Sequence, residues 1–307
     1  MGSRYGWRRD RQNNRLEVQV GSEVVGYFPG RGSDFTPQGN AFYVDTAGSD
    51  SYNGLSPQTP LLTVDAALAK CTDDENDYIF VLDCWDEDDY PITVDKSTCH
   101  IIGVGLPTPW SFPTLTGGAA ADVMRLSANY CEIAGFSMIS AGYDGIHFYA
   151  NIGYNWLHHL NFAVAAASVE NAIEFDSTYG TNSLIENCTF GATTSHITGY
   201  GVYGGMHQSV VRNNVFKECD DGAVYVTGTI NTGSIYGNLI TVPDDGSGQA
   251  ITLTAGVSGF MVTDNRAMNG MLSSGYNYNP YRDLAANTAN HWGMNYMGNA
   301  VVEPVGV

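Results

Sequence analysis

From Met124 to Gly270 the chain repeats itself six times, and this periodicity restricts the folds open to it more than any other feature. The lines MRLSANYCEIAGFSM, IHFYANIGYNWLHHLNF, IEFDSTYGTNSLIENCTF, VYGGMHQSVVRNNVF, VYVTGTINTGSIYGNLI and ITLTAGVSGFMVTDNRA begin at Met124, Ile146, Ile173, Val202, Val224 and Ile251. The steps between them are 22, 27, 29, 22 and 27 residues. Each line opens on a short alternating run and carries a second strand-like run further on. Short β-rich runs divided by Gly, Asn and Ser at a period in the twenties mark a solenoid, and this length suits one coil of a parallel β-helix.

Two sets of columns support that reading. The opening runs read apolar–x–apolar at Met124/Leu126, Ile146/Phe148, Ile173/Phe175, Val224/Val226 and Ile251/Leu253, which sends alternate side chains inward. The Val202 line departs from it, with Gly204 at the second inward place. In the second runs, Ile133, Leu157, Ile185, Val211, Ile235 and Val262 form one inward column. Met138, Phe162, Phe190, Phe216, Ile240 and Ala267 form another, five residues further on. Between them lie Asn187, Asn213, Asn214, Asn238 and Asn265. Asn tolerates the left-handed backbone of a tight corner, and its amide can bond to a neighbouring coil.

Charge divides the chain. Arg4, Arg8, Arg9, Arg11, Arg15 and Arg31 face only Asp10, Glu17 and Glu23 in the first 31 residues, a net +3; the remaining 7 Lys/Arg and 29 Asp/Glu give −22. The total of −19 argues against nucleic acid, which requires a basic footprint. No apolar run approaches the roughly 18 residues of a membrane span, and the N-terminus lacks the apolar core of a secretory signal. The six cysteines, Cys71, Cys84, Cys99, Cys131, Cys188 and Cys219, form no CxxC pair and read as small buried hydrophobes. RLEVQV and EVVGYF around Gly21-Ser22 predict a hairpin. Three segments are expected: a basic arm and linker over 1–40, the solenoid with its N-terminal cap over 41–272, and a Tyr-, Asn- and Met-rich cap or subunit contact over 273–307. Arg4, Trp7, Arg8, Arg9, Arg11 and Arg15 are the anchor candidates.

In FYVDTAGSDSYNGLSPQTPLLTVDAALAKC a strand runs through a loop into a short helix with Thr63 as N-cap, a suitable cover for the first coil. This run resembles the opening of right-handed parallel β-helix proteins: a strand ending in Asp, a G-S-D…N-G loop, S-P…T-P, then a Thr-started, Ala-rich helix. With the repeats, the resemblance spans Phe42 to Gly270. It implies an all-β, right-handed parallel β-helix of the pectate-lyase-like superfamily, which includes lyases, hydrolases, binding scaffolds, phage virion proteins and tailspikes. It also implies a homotrimer. The loop offers Asp45, Asp50 and Asn53 as calcium candidates, without an EF-hand pattern. DEDDY (Asp86 to Tyr90) reads as a solvated turn.

The outward position of each opening run gives Arg125, His147, Glu174, Tyr203, Tyr225 and Thr252. Such a stack could be a carbohydrate groove, with Arg125, Tyr203 and Tyr225 binding and Glu174, His147 and Asp176 as the candidates for proton transfer. Arg125, Arg212, Lys217 and Arg266 share no face, so the basic residue a lyase uses has no evident place. His158 and His159 are expected in a turn, not directed at one ligand. The leading expectation is a structural virion protein without a cofactor, a β-helix displayed on a phage capsid or as a short spike and held to other virion proteins by its arm. A polysaccharide lyase or glycosidase, or an extracellular adhesin for host surface glycans, is the alternative.

Overall fold

The computed structural model describes residues 5–10, 15–20, 23–28, 39–83, 90–105, 112–118, 121–140, 143–149, 151–164, 170–176, 180–191, 197–217, 219–229, 231–242, 249–269, 280–285, 289–297 and 300–306. It separates into two compact units, Met1–Gly39 and Asn40–Val307. In the first, the expected pair Arg15–Val20 and Glu23–Phe28 is joined by a third strand, Tyr5–Asp10, in an antiparallel sheet of order 1-2-3. Of the anchor candidates, Trp7 pairs with Val18, Arg8 with Glu17, Arg9 with Leu16, and Arg15 with Asp10. Arg4 and Arg11 lie outside the described residues.

The second unit is a parallel β-helix. Each coil visits three sheets, here called opening, middle and closing, with nine, ten and nine strands among the described residues. Met124, Ile146, Ile173, Val202, Val224 and Ile251 are successive partners in the opening sheet, and every one is buried. The place of Gly204 in that column has a steric reason: its φ is 117°, and a Cβ there would lie 2.0 Å from the carbonyl oxygen of Phe175. The second run of each line is two strands, not one. A residue with positive φ turns the chain between them at Gly135, His159, Asn187, Asn213, Gly237 and Asp264. Ile133, Leu157, Ile185, Val211, Ile235 and Val262 therefore belong to the middle sheet. Met138, Phe162, Phe190, Phe216, Ile240 and Ala267 belong to the closing sheet. Within the core, Phe162, Phe190 and Phe216 stack at centroid distances of 5.0 and 4.4 Å.

The asparagines of this corner divide into two adjacent columns. Asn187 and Asn213 occupy the left-handed place, with φ of 55°. One residue later Asn214, Asn238, Asn265 and Asn295 are buried and bonded to each other. The Oδ1 of Asn238 accepts the N–H of Asn214 at 3.0 Å, and its Nδ2 donates to the Val211 carbonyl at 3.0 Å and to Asn265 Oδ1 at 2.9 Å. Cys188 sits in the same column, its N–H donating to Asn214 Oδ1 at 2.9 Å. Five of the cysteines, all except Cys84, are described; they are buried and unpaired.

The helix Val64–Leu68 packs on the first strands of the stack, Ala41–Val44, Tyr78–Val81 and Ile92–Val94. Thr63 Oγ1 accepts the N–H of Ala66 at 3.1 Å, the expected cap. At the other end, the stack continues past residue 272. Tyr281–Asp283, His291–Gly293 and Tyr296–Met297 extend all three sheets. The step from Ile251 to its partner Tyr281 is lengthened to 30 residues and fills an aliphatic column with an aromatic ring, so the periodic pattern does not register it.

Connections differ in length around the coil. From middle to closing sheet there are ten residues in the first coil (104–113, between Gly103 and Thr114) and two in each coil from Glu132 onward, as in Gly135-Phe136 and Asn213-Asn214. From closing back to opening sheet, over the coils from Thr116 to Tyr281, there are between 4 residues (after Lys217) and 11 (after Asn269).

Candidate functional site

The opening sheet positions the expected stack as read from the sequence: Arg125, His147, Glu174, Tyr203, Tyr225 and Thr252 are partners in consecutive strands, facing away from the core. Thr252 is nevertheless 2% exposed, which removes it from an accessible groove. The first three gather around two acids that the repeat pattern does not single out. Asp122 and Asp144 each stand two residues before an opening strand and are buried. Each carboxylate reaches the next coil: Asp122 Oδ1 accepts the Asp144 N–H at 3.4 Å, and Asp144 Oδ1 accepts that of Asn171 at 2.9 Å. Asn171 Oδ1 accepts the Tyr200 N–H at 3.0 Å. Alignment on the opening strands would have displayed this Asp-Asp-Asn column at a constant offset.

His147 sits centrally. Its Nδ1 lies 3.3 Å from Asp122 Oδ2 and its Nε2 lies 3.2 Å from Asp176 Oδ1. The Asp122 carboxylate, followed by Asp176, raises its pKa to about 9, so the imidazole is cationic at neutral pH. Asp122 itself is pulled below the carboxylate range: burial opposes ionisation, and the bonds from His147 and Arg125 outweigh it. Arg125 Nε donates to Asp122 Oδ2 at 2.8 Å, and its guanidinium lies 5.1 Å from the Tyr149 ring centre. Asp122 thus engages the arginine expected to bind a ligand.

Asp144 behaves oppositely. Burial, then its hydrogen bond with Glu174 and the charge of that group, push its pKa up to about 8. It therefore keeps a proton near neutrality, in hydrogen-bonding contact with the Glu174 side chain. Asn171 Nδ2 donates to Glu174 Oε2 at 2.9 Å, completing a fixed setting for that more accessible group. Asp176, 41% exposed at its side chain, bends back to His147 and does not leave at the corner. Ligand atoms of His147, Glu174 and Asp176 lie within 4.8 Å of one another, as do those of Asp122, Asp144 and His147, so either trio has the composition of a cation site. Beyond Glu174, Tyr203 and Tyr225 stack at 5.6 Å, with Tyr200 against Tyr225 at 4.7 Å.

A second ladder, on the outer face of the middle sheet, escapes a reading that follows only inward columns. Glu132 Oε2 lies 2.7 Å from His100 Nδ1, and its Oε1 lies 2.9 Å from His158 Nε2. Although burial works against ionisation, these two imidazoles hold the Glu132 pKa down to about 2. Glu186 accepts from Trp156 Nε1 at 3.0 Å and from Arg212 Nε at 2.7 Å. His158 lies in the strand Trp156–His158, contrary to the turn expected, and its Nδ1 is 2.7 Å from that of His159. The corner after the strand turns His159 back on its neighbour. Arg125 lies on the opening sheet and Arg212 on the middle sheet, whereas Lys217 and Arg266 share the outer face of the closing sheet, contrary to the expectation that none of the four shares a face.

The calcium candidates are occupied by turns. Asp45 Oδ1 accepts from Ala47 N, Asp50 Oδ1 from Leu62 N and Thr63 N, and Asn53 Oδ1 from Leu55 N, at 2.8 to 3.1 Å. Most of the DEDDY turn lies outside the described residues.

No protein-family profile matches the chain, and no curated protein is similar to it. Among solved structures, the pectate lyase Pel9A aligns over 86% of this chain and 78% of its own at 12% identity, with a TM-score of 0.46. The alginate lyase of Paenibacillus sp. str. FPU-7 aligns over 77% and 93% at 16% identity, with a TM-score of 0.45. The tailspike protein of E. coli bacteriophage HK620, solved with a pentasaccharide, aligns over 78% of this chain and 48% of its own at 14% identity, with a TM-score of 0.45. The fold itself, an all-β parallel β-helix closed by a short helix at its N-terminal end, rests on the strand pairing described above.

Proposed function

We propose that this protein is a glycan-processing β-helix whose acid cluster on the opening sheet hydrolyses a glycosidic bond. One observation carries the reading: three carboxyl groups gather around His147, with Asp144 buried and pushed up to about 8 by burial and its hydrogen bond with Glu174, and with Glu174 and Asp176 within 4.8 Å of each other. A protonated carboxyl paired with an ionised one is what cleavage of an acetal requires. Glu174 takes the shared proton from Asp144 and passes it to the leaving oxygen as the C–O bond breaks, and the proton released by the incoming water in the second step restores the pair. Asp176, oriented by cationic His147, attacks the anomeric carbon; water activated by Glu174 then hydrolyses the glycosyl ester. The spacing within 4.8 Å favours this double displacement over a single displacement, which needs about 6.5 to 9.5 Å to admit water. Elimination is disfavoured because Arg125 is bound by Asp122.

The test is reducing-end release from a panel of polysaccharides, with the anomeric configuration of the first product read by NMR. Glu174→Gln should lower the rate about 10²- to 10⁴-fold. Unsaturated sugar products, or no release from any member of the panel, would overturn the reading.

Display on a virion is the setting we propose, supported by the separate N-terminal unit and its six arginines in an otherwise acidic chain. A chain lacking residues 1–38 should lose attachment to its native particle while retaining activity. Equal attachment by both forms would remove the arm as an anchor.

A further inference from the structure

The corner before the middle sheet carries a left-handed residue two places ahead of six strands, at Asn76, Thr98, Tyr130, Tyr154, Asn182 and Gln208, and Thr232 holds the same register within the strand Asn231–Tyr236. Most of these are small or amide-bearing. In two consecutive coils the position is instead tyrosine, at φ of 59° and 61°, a conformation that costs a bulky residue about 1–2 kcal/mol. Burial does not offset this cost, because Tyr130 and Tyr154 are 54% and 53% exposed. Their rings stack on each other at 4.8 Å, in planes 13° apart.

Two residues beyond Tyr154, Trp156 opens the outer face of the middle sheet and is 40% exposed. Its indole is held from two sides: Nε1 donates to Glu186, itself only 7% exposed, and one face stacks on His158 at 4.0 Å. Three exposed rings, two strained into place and one clamped, form a preorganised ledge along two coils. Rigid aromatic faces of this kind bind ligands with little loss of side-chain entropy.

The surrounding charge selects the occupant. Glu132 and Glu186 share the outer face of the sheet with Trp156, and Arg212 is bound to Glu186 through Nε and NH2 at 2.7 Å. The net charge of −19 also repels polyanions. We propose that Tyr130, Tyr154 and Trp156 form a second saccharide site, remote from the acid cluster in sheet position, that stacks the apolar ring faces of a neutral glycan chain. It deepens the glycan reading above by holding a long substrate at a face other than the one that cuts it, yet binding there requires no turnover.

The experiment uses the full chain carrying Glu174→Gln, so that no probe is consumed. An array of neutral oligosaccharides, with hexagalacturonate as the acidic control, is followed by calorimetry on the best neutral hexasaccharide. We expect a neutral ligand whose affinity falls at least tenfold in Trp156→Ala and in the double variant Tyr130→Ala/Tyr154→Ala. Trp156→Phe should keep most of the affinity. The two tyrosines are solvent-facing, so a Tm within a few degrees of the parent will verify that their loss leaves the fold intact. Absence of any neutral ligand, preference for hexagalacturonate, or folded variants that bind within twofold of the parent would overturn the proposal. Hydrolysis that fails while this binding persists would dismiss the acid cluster and leave the ledge standing.

Discussion

The molecule builds two inter-coil ladders by the same device and puts them to different use. At the corner between middle and closing sheets, the residue that reaches the neighbouring coil is an amide: Asn214, Asn238, Asn265, Asn295. At the corner before the opening sheet it is first an acid, Asp122 and Asp144, and only then an amide, Asn171. An asparagine accepts with one atom and donates with another, so a column of them satisfies itself. A carboxylate accepts only. The lone pairs left over in the acid column must be met by His147, by Arg125, or by a proton shared with Glu174. Neutral ladders hold the coil together, while the acidic one accumulates perturbed groups, and such groups concentrate where chemistry occurs.

The contrast can be broken by exchanging the two kinds of residue. The largest effect is expected at Asn238→Leu, which removes the acceptor of the Asn214 N–H and Nδ2 and the donor to the Val211 carbonyl. At about 1–3 kcal/mol for each buried group, a loss of about 4 kcal/mol and roughly 10 °C in Tm should appear in urea and thermal unfolding. A change below 1 kcal/mol would show that the amide column is not what secures the corner.

Next comes Asp144→Asn, which converts the acid column towards the amide type. The amide still accepts from Asn171 N and donates to Glu174, so the fold should lose nothing in chemical denaturation. Hydrolysis should fall about a hundredfold because the exchangeable proton is gone. Full activity in this variant would place the acid elsewhere.

A smaller effect is expected from pH. Asp144 ionises from about 3.8 when unfolded and only at about 8 when folded, so its contribution to stability falls as pH climbs across that window. His147 acts in the same direction: its stabilisation is complete below 6.5 and is lost as pH rises to about 9. Glu132 sets the acid limb, its contribution being present above 4.5 and lost towards about 2. Tm should therefore decline from pH 6 to 9 in the parent, and less steeply in Asp144→Asn. Parallel profiles would mean that Asp144 does not hold the proton.

The coil was legible in the sequence because burial is periodic: Ile146, Ile173 and Ile251 need only be apolar and in register to be recognised. Arg125, His147 and Glu174 followed from alternation alone. Asp122 and Asp144 were not found because the pattern that defines a strand begins two residues after them. Their burial, which gives Asp144 its unusual proton, comes from coils that are distant in sequence. The same holds for His100, Glu132 and His158, whose spacings of 32 and 26 residues become hydrogen-bonding distances only when the coils stack. Tyr281 shows the reverse case, an inward residue hidden by its own size and a longer step.

The unequal corners have an evolutionary consequence. In the coils from Glu132 onward, the two-residue link between middle and closing sheets leaves no room for insertion without breaking the asparagine column; the long link of the first coil, residues 104–113, lies before that column begins. The link back to the opening sheet already varies from 4 to 11 residues while every strand stays in register. New loops can therefore be gained or lost at that edge, one coil at a time, beside the face that carries the acids. Descendants of this chain can change what borders their reactive face while inheriting its frame intact.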